Sequence, residues 1–195
     1  QEPPIAESAS NGIVENGVKL QKGMLRVHLV SLEQKLGVSI PATHPVLAWL
    51  VEFASDVTTK HLRGADGRTA YERLYGKPVR EEGLEFGETV LWRRPKQAGA
   101  NVLLECRWET GVWLGRKWGG VTHYVGIGRE VVETRAIQRR PKEERWGAAR
   151  VQELRATPWL NPVPADGGDQ ELVVLPPLDP GQVLPPVPAP HGARD

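Results

Sequence analysis

The nine residues FGETVLWRR (86–94) mark the point at which the pattern of the chain changes. This run belongs to a series of short runs of alternating or β-branched residues, which are typical of strands, whereas the segments before it repeat apolar residues at helical intervals. Four similar runs follow, separated by glycines: NVLLECRW (101–108), GVWLGRK (111–117), THYVGIG (122–128) and EVVETRAIQRR (130–140). We therefore expect an α+β protein, with helices first and a small, strongly bent antiparallel sheet or five-stranded barrel after them.

The longest predicted helix covers residues 10–37. Ser10 or Asn11 can cap its start, and Gly37 with Pro41 ends it. Six apolar residues recur on one side at helical spacing: Val14, Val18, Leu25, Leu29, Leu32 and Leu36. This spacing predicts that the whole length of the helix packs against a core.

Two shorter helices are predicted before the strands. Residues 43–62 form a largely apolar helix with Pro45 in its first turn, which indicates that it is mostly buried. A third helix begins at Thr69, whose spacing to Glu72 is that of a capping box, and ends at Gly76.

Positive charge is concentrated in one segment of a nearly neutral chain. The net charge is +1, but residues 1–85 carry −1, residues 86–150 carry +6 and residues 151–195 carry −4. The middle segment is therefore where a polyanion would bind. Beyond about Trp159 the chain is rich in proline, which predicts a disordered or extended linker because such a segment buries too little apolar surface to order itself.

Cysteine content and hydropathy exclude several classes. The single Cys106 excludes an internal disulfide framework and a Cys-rich zinc site. No apolar run reaches the roughly 18 residues that a membrane span needs, and the N-terminal QEPPIAESAS lacks the features of a signal peptide. We therefore expect an intracellular protein without a membrane partner. The initial Gln suggests that the chain was cut from something longer.

Glu15 heads a row of cations on the first helix. At about 100° per residue, Lys19, Lys22 and Arg26 lie within about 40° of Glu15, and the predicted helix start places the carboxylate in the first turn, where the helix dipole favours negative charge. A duplex along this row would meet the carboxylate first and phosphate-neutralising cations after it. The alternative is an ordinary surface residue that pairs with Lys19 at the i,i+4 spacing.

Three segments resemble one family in the same order. SASNGIVENGVK (8–19) is similar to the N-G-x-x-E run that carries the last acidic residue of retroviral and retrotransposon integrases. RTAYERLYGKP (68–78) and residues 107–141 are similar to the segments that follow the core in the copia-type LTR retrotransposon branch. Two departures are Asn16, where the family often has a basic residue, and TRAI (134–137), which lacks an acid of the family pattern.

The resemblance implies the C-terminal part of an integrase within a retrotransposon Pol polyprotein. Residues 1–80 would be the helical end of an RNase H-like core and its connector, residues 84–142 an SH3-like β-barrel that binds DNA, and residues 143–195 a basic stretch followed by a Pro-rich disordered linker. The implied partners are DNA and the upstream core segment of the same polyprotein, with self-association left open. The implied location is the nucleus.

The resemblance also implies the site. Glu15 would complete a D,D,E triad that holds Mg²⁺ or Mn²⁺ in the intact enzyme, with DNA bound by Lys19, Lys22, Arg26, Arg139, Arg140 and Lys142. Two aspartates should precede this glutamate, but residues 1–14 contain none. We therefore expect the chain alone to be catalytically inert and to bind no metal tightly.

Alternatives remain for the basic segment. Its tryptophans can stack bases or fill a core; Trp92 and Trp113 favour packing, whereas Trp118, between a lysine and glycines, favours an exposed hairpin tip. A basic run after the last strand can equally be solvated or bind phosphate. The runner-up function is a non-catalytic DNA-binding module, degenerate or domesticated, and the third is a protein-interaction barrel with the Pro-rich tail as a partner's ligand.

Overall fold

The computed structural model describes residues 8–80, 83–95 and 106–164, and these form an α+β fold. Within them, four α-helices accompany five strands in a single antiparallel sheet. In chain order the elements are α1 (Ser8–Leu36), α2 (Val46–His61), α3 (Ala70–Tyr75), β1 (Thr89–Arg93), β2 (Trp108–Arg116), β3 (His123–Ile127), β4 (Glu130–Thr134), β5 (Ile137–Arg139) and α4 (Ala148–Gln152). Most of the predicted strand 101–108, and of the Pro-rich linker, lies outside the described residues.

The helix ends follow the local signals that the sequence carries. Gly37, with a φ of 67°, follows the last residue of α1, and Gly76, with a φ of 70°, caps α3. The predicted capping box is confirmed: Glu72 donates its backbone N–H to the Thr69 hydroxyl at 3.0 Å, and the Thr69 N–H donates to the Glu72 carboxylate at 2.8 Å. These three ends are therefore set by contacts within a few residues.

The sheet is strongly curled but does not close. Its order is β4-β3-β2-β1-β5, so β4 and β5 occupy opposite edges although only Arg135 and Ala136 separate them in the chain. Two residues cannot cross a flat five-stranded sheet, because neighbouring strands are about 4.8 Å apart. The edges therefore bend towards each other, and the Arg93 N–H donates to the Ala136 carbonyl at 3.0 Å. Because β4 and β5 do not pair, the expectation of a closed barrel is corrected to an open, curled sheet.

Helices and sheet share one hydrophobic core. On α2, Val46, Trp49 and Leu50 are buried against the outer face of the sheet, where Leu114 is 2% exposed. The segment after β5 completes this core. It contributes Leu154, and the Trp49 indole N–H donates to the Ala156 carbonyl at 2.9 Å. Residues up to 163 therefore pack with the helices and the sheet, and α4 is an element that the sequence analysis did not predict.

A second cluster fills the inside of the curl. Val90, Trp92, Trp113 and Val125 pack together there, and the two tryptophans are 3% and 6% exposed. This confirms that both serve as core residues. Trp118, which lies between β2 and β3, is 49% exposed, as predicted for a hairpin tip.

The predicted core face of α1 is only half buried. Leu32 is 2% exposed, but Val14 and Val18 are 66% and 47% exposed, so the prediction that they face a core is wrong within the described residues. Gln21, one turn further along α1, contacts α2: its side-chain amide donates to Ser55 Oγ at 2.8 Å. The predicted face is therefore packed into the core only from about Leu25 onwards. No helix in the described part of the chain is both long and apolar enough to span a bilayer.

Candidate functional site

The N-terminal half of α1 presents an exposed row of charged side chains. The helix is continuous over 29 residues, so the angular positions expected from sequence hold along its length. Glu15, Lys19, Lys22 and Arg26 are all exposed. Within the described residues none of the four forms an ion pair, so the three cations keep their charge available to a ligand. The structure thus brings these four predicted residues together on one face.

Glu15 sits deeper in the helix than the sequence suggested. Because α1 begins at Ser8 rather than Ser10, Glu15 is the eighth helical residue, and the prediction that it lies in the first turn is wrong. The helix dipole acts mainly on the first turn, so it contributes little at this position. The alternative i,i+4 pair with Lys19 is not formed either. The Glu15 side chain is exposed to solvent.

The residues around Glu15 do not make a complete magnesium site. Mg²⁺ requires oxygen ligands in a near-octahedral arrangement, usually including more than one carboxylate or a substrate phosphate. Across residues 8–80, 83–95 and 106–164, no group of three or more His, Cys, Asp or Glu side chains could hold a metal ion. Glu15 could therefore supply one carboxylate ligand, but the described residues do not supply the other ligands that Mg²⁺ needs. No catalytic step is assigned to Glu15 in this chain.

Arg139 is held by a buried carboxylate. Glu88, which is 0% exposed, accepts from Arg139 Nε at 2.5 Å and from Arg139 Nη2 at 2.9 Å. Arg145 approaches the same carboxylate at 3.4 Å. A carboxylate removed from water needs such partners, because an unpaired buried charge is strongly destabilising. The charge of Arg139, one of the predicted DNA-binding residues, is therefore largely balanced within the protein.

The rest of the predicted basic run contains one ion-paired cation and two exposed cations without an ion-pair partner among the described residues. Arg140 forms an ion pair with Glu144, four residues on. Lys142 and Arg150 are exposed, and neither forms an ion pair with another described residue. The free positive charge of this region is therefore smaller than the sequence suggests. DNA binding by Arg139, Arg140 and Lys142 stays a prediction, with Lys142 the best placed of the three.

A second feature, which the sequence analysis missed, is a cleft between α2 and the β2–β3 hairpin. Its volume is about 450 Å³. Glu52 and Asp56 line it from α2, and the exposed Trp118 lines it from the hairpin. The signal in the sequence was a pair of carboxylates at i,i+4 spacing within an otherwise apolar helix. It could not be interpreted because the aromatic wall comes from residues more than 60 positions away.

Comparisons with protein-family models, with curated proteins and with solved structures found no match to this chain. The integrase resemblance accordingly stays a prediction from three sequence segments.

Proposed function

We propose that the chain is the C-terminal part of a copia-type retrotransposon integrase and acts in DNA integration by binding DNA. The observation that supports this best is the row on α1, in which Glu15 is followed by Lys19, Lys22 and Arg26, all exposed and none ion-paired among the described residues. In the intact enzyme such a row would guide a DNA backbone towards the acidic residue. The proposal places the protein in the nucleus.

The dimensions of the row suit a nucleic-acid strand. From Lys19 to Arg26 the helix rises about 10 Å, at 1.5 Å per residue. One strand of B-DNA carries a phosphate about every 3.4 Å along the axis, so three cations face about three phosphates. Long, flexible side chains on one face can adjust to this spacing. Such contacts position a duplex without reading its sequence.

The fold is compatible with the finer assignment that the proposal makes. The helical part would be the end of an RNase H-like core, and the exposed Val14 and Val18 would then pack against upstream strands of that core. The curled sheet would be SH3-like, since its consecutive last strands lie at opposite edges and nearly meet. Both assignments are part of the proposal.

The proposal treats the isolated chain as catalytically inert. In the family, divalent metal ions held by three carboxylates activate the attacking oxygen and stabilise the leaving oxygen. Glu15 could supply one carboxylate, but the described residues do not fit a complete metal site. The contribution of this chain is therefore to hold and orient DNA.

A salt titration of DNA affinity tests the proposal. Lys19→Ala, Lys22→Ala and Arg26→Ala together should lower the affinity of the full chain for a duplex and reduce the slope of log K against log salt by about 2 to 3, because each phosphate contact contributes about 0.9. Alanine preserves helix propensity. The matched control removes three other exposed cations, Arg68, Lys77 and Arg80, and should change the slope by less than about 1.

Equal losses from the two triple variants would overturn the proposed interface, because binding would then follow net charge alone. Absence of DNA binding even at low salt would favour the protein-interaction alternative. The non-catalytic DNA-binding alternative predicts the same salt dependence, and it is separated by restoring the upstream segment: only the integrase proposal predicts metal-dependent strand transfer that Glu15→Gln abolishes.

A further inference from the structure

Three aromatic side chains form the walls of the cleft between α2 and the β2–β3 hairpin. Phe53 lines it from α2, Tyr124 from β3 and Trp118 from the turn between β2 and β3. Trp118 is 49% exposed and Val51, which also lines the cleft, is 45% exposed, so its mouth opens to solvent. A volume of about 450 Å³ lies within the range of small-ligand sites.

Neighbouring rings fix the positions of these walls. The Tyr124 ring lies 5.3 Å from that of Trp49, and the Phe53 ring meets Trp113 edge-on at 5.8 Å. Trp118 contacts Tyr71 of α3 in an edge-on arrangement at 6.4 Å. Because the walls are held before a ligand arrives, little conformational entropy is lost on binding.

Glu52 brings a carboxylate to this largely apolar cleft, which Arg116 also lines. Among the described residues Glu52 forms no ion pair or hydrogen bond, and burial raises the pKa of its carboxyl group. Tyr124 lines the same cleft, and the charge of Glu52 is one of the causes that raise the pKa of its hydroxyl group, after burial and Glu133.

Two other charged residues, Asp56 and Arg116, line the cleft. Asp56 is paired with Lys60 at 2.5 Å, so its charge is matched within α2. Arg116 lines the cleft from the β2 side and is half-buried. Glu52 therefore remains the carboxylate that a ligand can neutralise.

We propose that this cleft binds the side chain of a single lysine or arginine from a partner protein. The cation would lie against the faces of Trp118 and Tyr124, where the ring quadrupoles attract positive charge, and would pair with the Glu52 carboxylate. The methylene stem would cover the apolar wall. A phosphate would be repelled by Glu52, and a neutral apolar side chain would desolvate it without compensation. This site shares no residue with the row on α1, so the inference goes beyond DNA binding.

The test uses small cationic probes on the full chain. Nα-acetyl-lysine amide and Nα-acetyl-arginine amide are titrated against the indole N–H signals of the tryptophans by NMR, with Nα-acetyl-norleucine amide as the uncharged probe of similar shape. We expect Trp118 to respond to both cations, and norleucine to bind roughly tenfold more weakly, because cation–π and charge pairing are lost. Glu52→Gln should weaken the cations by a similar factor, whereas Glu143→Gln, at an exposed site elsewhere, should not.

Two results would overturn the inference. Equal binding of norleucine and lysine probes would make the cleft an apolar site without charge selectivity. Binding of a short single-stranded oligonucleotide that shifts Trp118 and grows stronger in Glu52→Gln would make it a base-stacking site. Because Lys19, Lys22 and Arg26 are unchanged in these variants, either failure leaves the DNA-binding proposal standing.

Discussion

The carboxylate of Glu88 balances the charge of Arg139, the last residue of β5. It is fully buried, and its bidentate pair with Arg139 joins positions that are 51 residues apart in the chain. The sequence around Arg139 shows only a basic run, for which solvated charge and phosphate binding are the natural interpretations. Its partner could not be found from sequence, because Glu88 stands inside a strand pattern where nothing marks it as buried. By contrast, the exposure of Lys19, Lys22 and Arg26 could be predicted, because helical periodicity alone sets their common face.

Replacing Arg139 should therefore affect the stability of the fold more than the binding of DNA. Arg139→Gln should lower the free energy of unfolding by about 2 to 3 kcal/mol, somewhat less than for loss of a fully buried pair, because Arg145 stays near the Glu88 carboxylate. It should change the salt slope of DNA binding little. Lys142→Gln should do the reverse, with unchanged stability and a slope lower by about 1 if Lys142 contacts a phosphate. Urea unfolding and salt-titrated affinity measure the two effects. A lower slope without loss of stability in Arg139→Gln would contradict this assignment.

At the scale of elements, features that depend on neighbouring residues could be predicted from the sequence, whereas features that depend on distant residues could not. The capping box of Thr69 and Glu72 and the glycine after α1 act within a few residues, so α1 and α3 end where the sequence predicts. EVVETRAIQRR (130–140) looked like one strand because nothing local interrupts it. The curl of the sheet divides it into β4 and β5 at Arg135 and Ala136. The burial of α1 was overestimated for a similar reason, since helical periodicity does not show which turns of a helix a neighbouring element covers.

Gly87, in the turn before β1, lies against Leu32 of α1. Its φ is +82°, and a Cβ there would come within 2.3 Å of Leu32 Cδ1, in a side chain that is only 2% exposed. Gly87→Ala should therefore cost about 3 kcal/mol of unfolding free energy, from backbone strain together with overpacking. Gly67→Ala is the matched control: its φ is +73° but no atom lies within 4 Å of the added carbon, so strain alone should cost about 1 kcal/mol. If urea unfolding shows equal losses of unfolding free energy for the two variants, α1 moves to make room for the added carbon without a measurable cost.

On the scale of the whole molecule, the segment after β5 belongs to the folded unit. Trp49 donates to the Ala156 carbonyl, and Val151 and Leu154 are 2% and 0% exposed. The described residues up to Pro164 form one compact unit. The proline-rich composition beyond Trp159 was visible in the sequence. The packing of α4 was not, because a five-residue helix carries too few positions to show a period.

Truncation tests this organisation. A chain that ends at Pro164 should melt within about 2 °C of the full chain. One that ends at Lys142 loses the burial of Val151 and Leu154, worth about 1.5 to 3 kcal/mol each. It also loses Arg145 beside Glu88, and its melting temperature should fall by roughly 10 to 20 °C, at about 2 to 4 °C per kcal/mol. Calorimetry or thermal circular dichroism measures the difference.

If the shorter chain is insoluble, Leu154→Ala within the chain that ends at Pro164 gives the same information. This substitution should cost about 2 to 5 kcal/mol, because it opens a cavity where Leu154 meets the sheet. A Cβ on Gly126 would lie only 2.8 Å from Leu154 Cδ1, so the leucine fills the space that this glycine leaves. Unchanged melting in both variants would mean that the helices and sheet fold without the last segment, and that residues 84–142 form a domain that is complete without it.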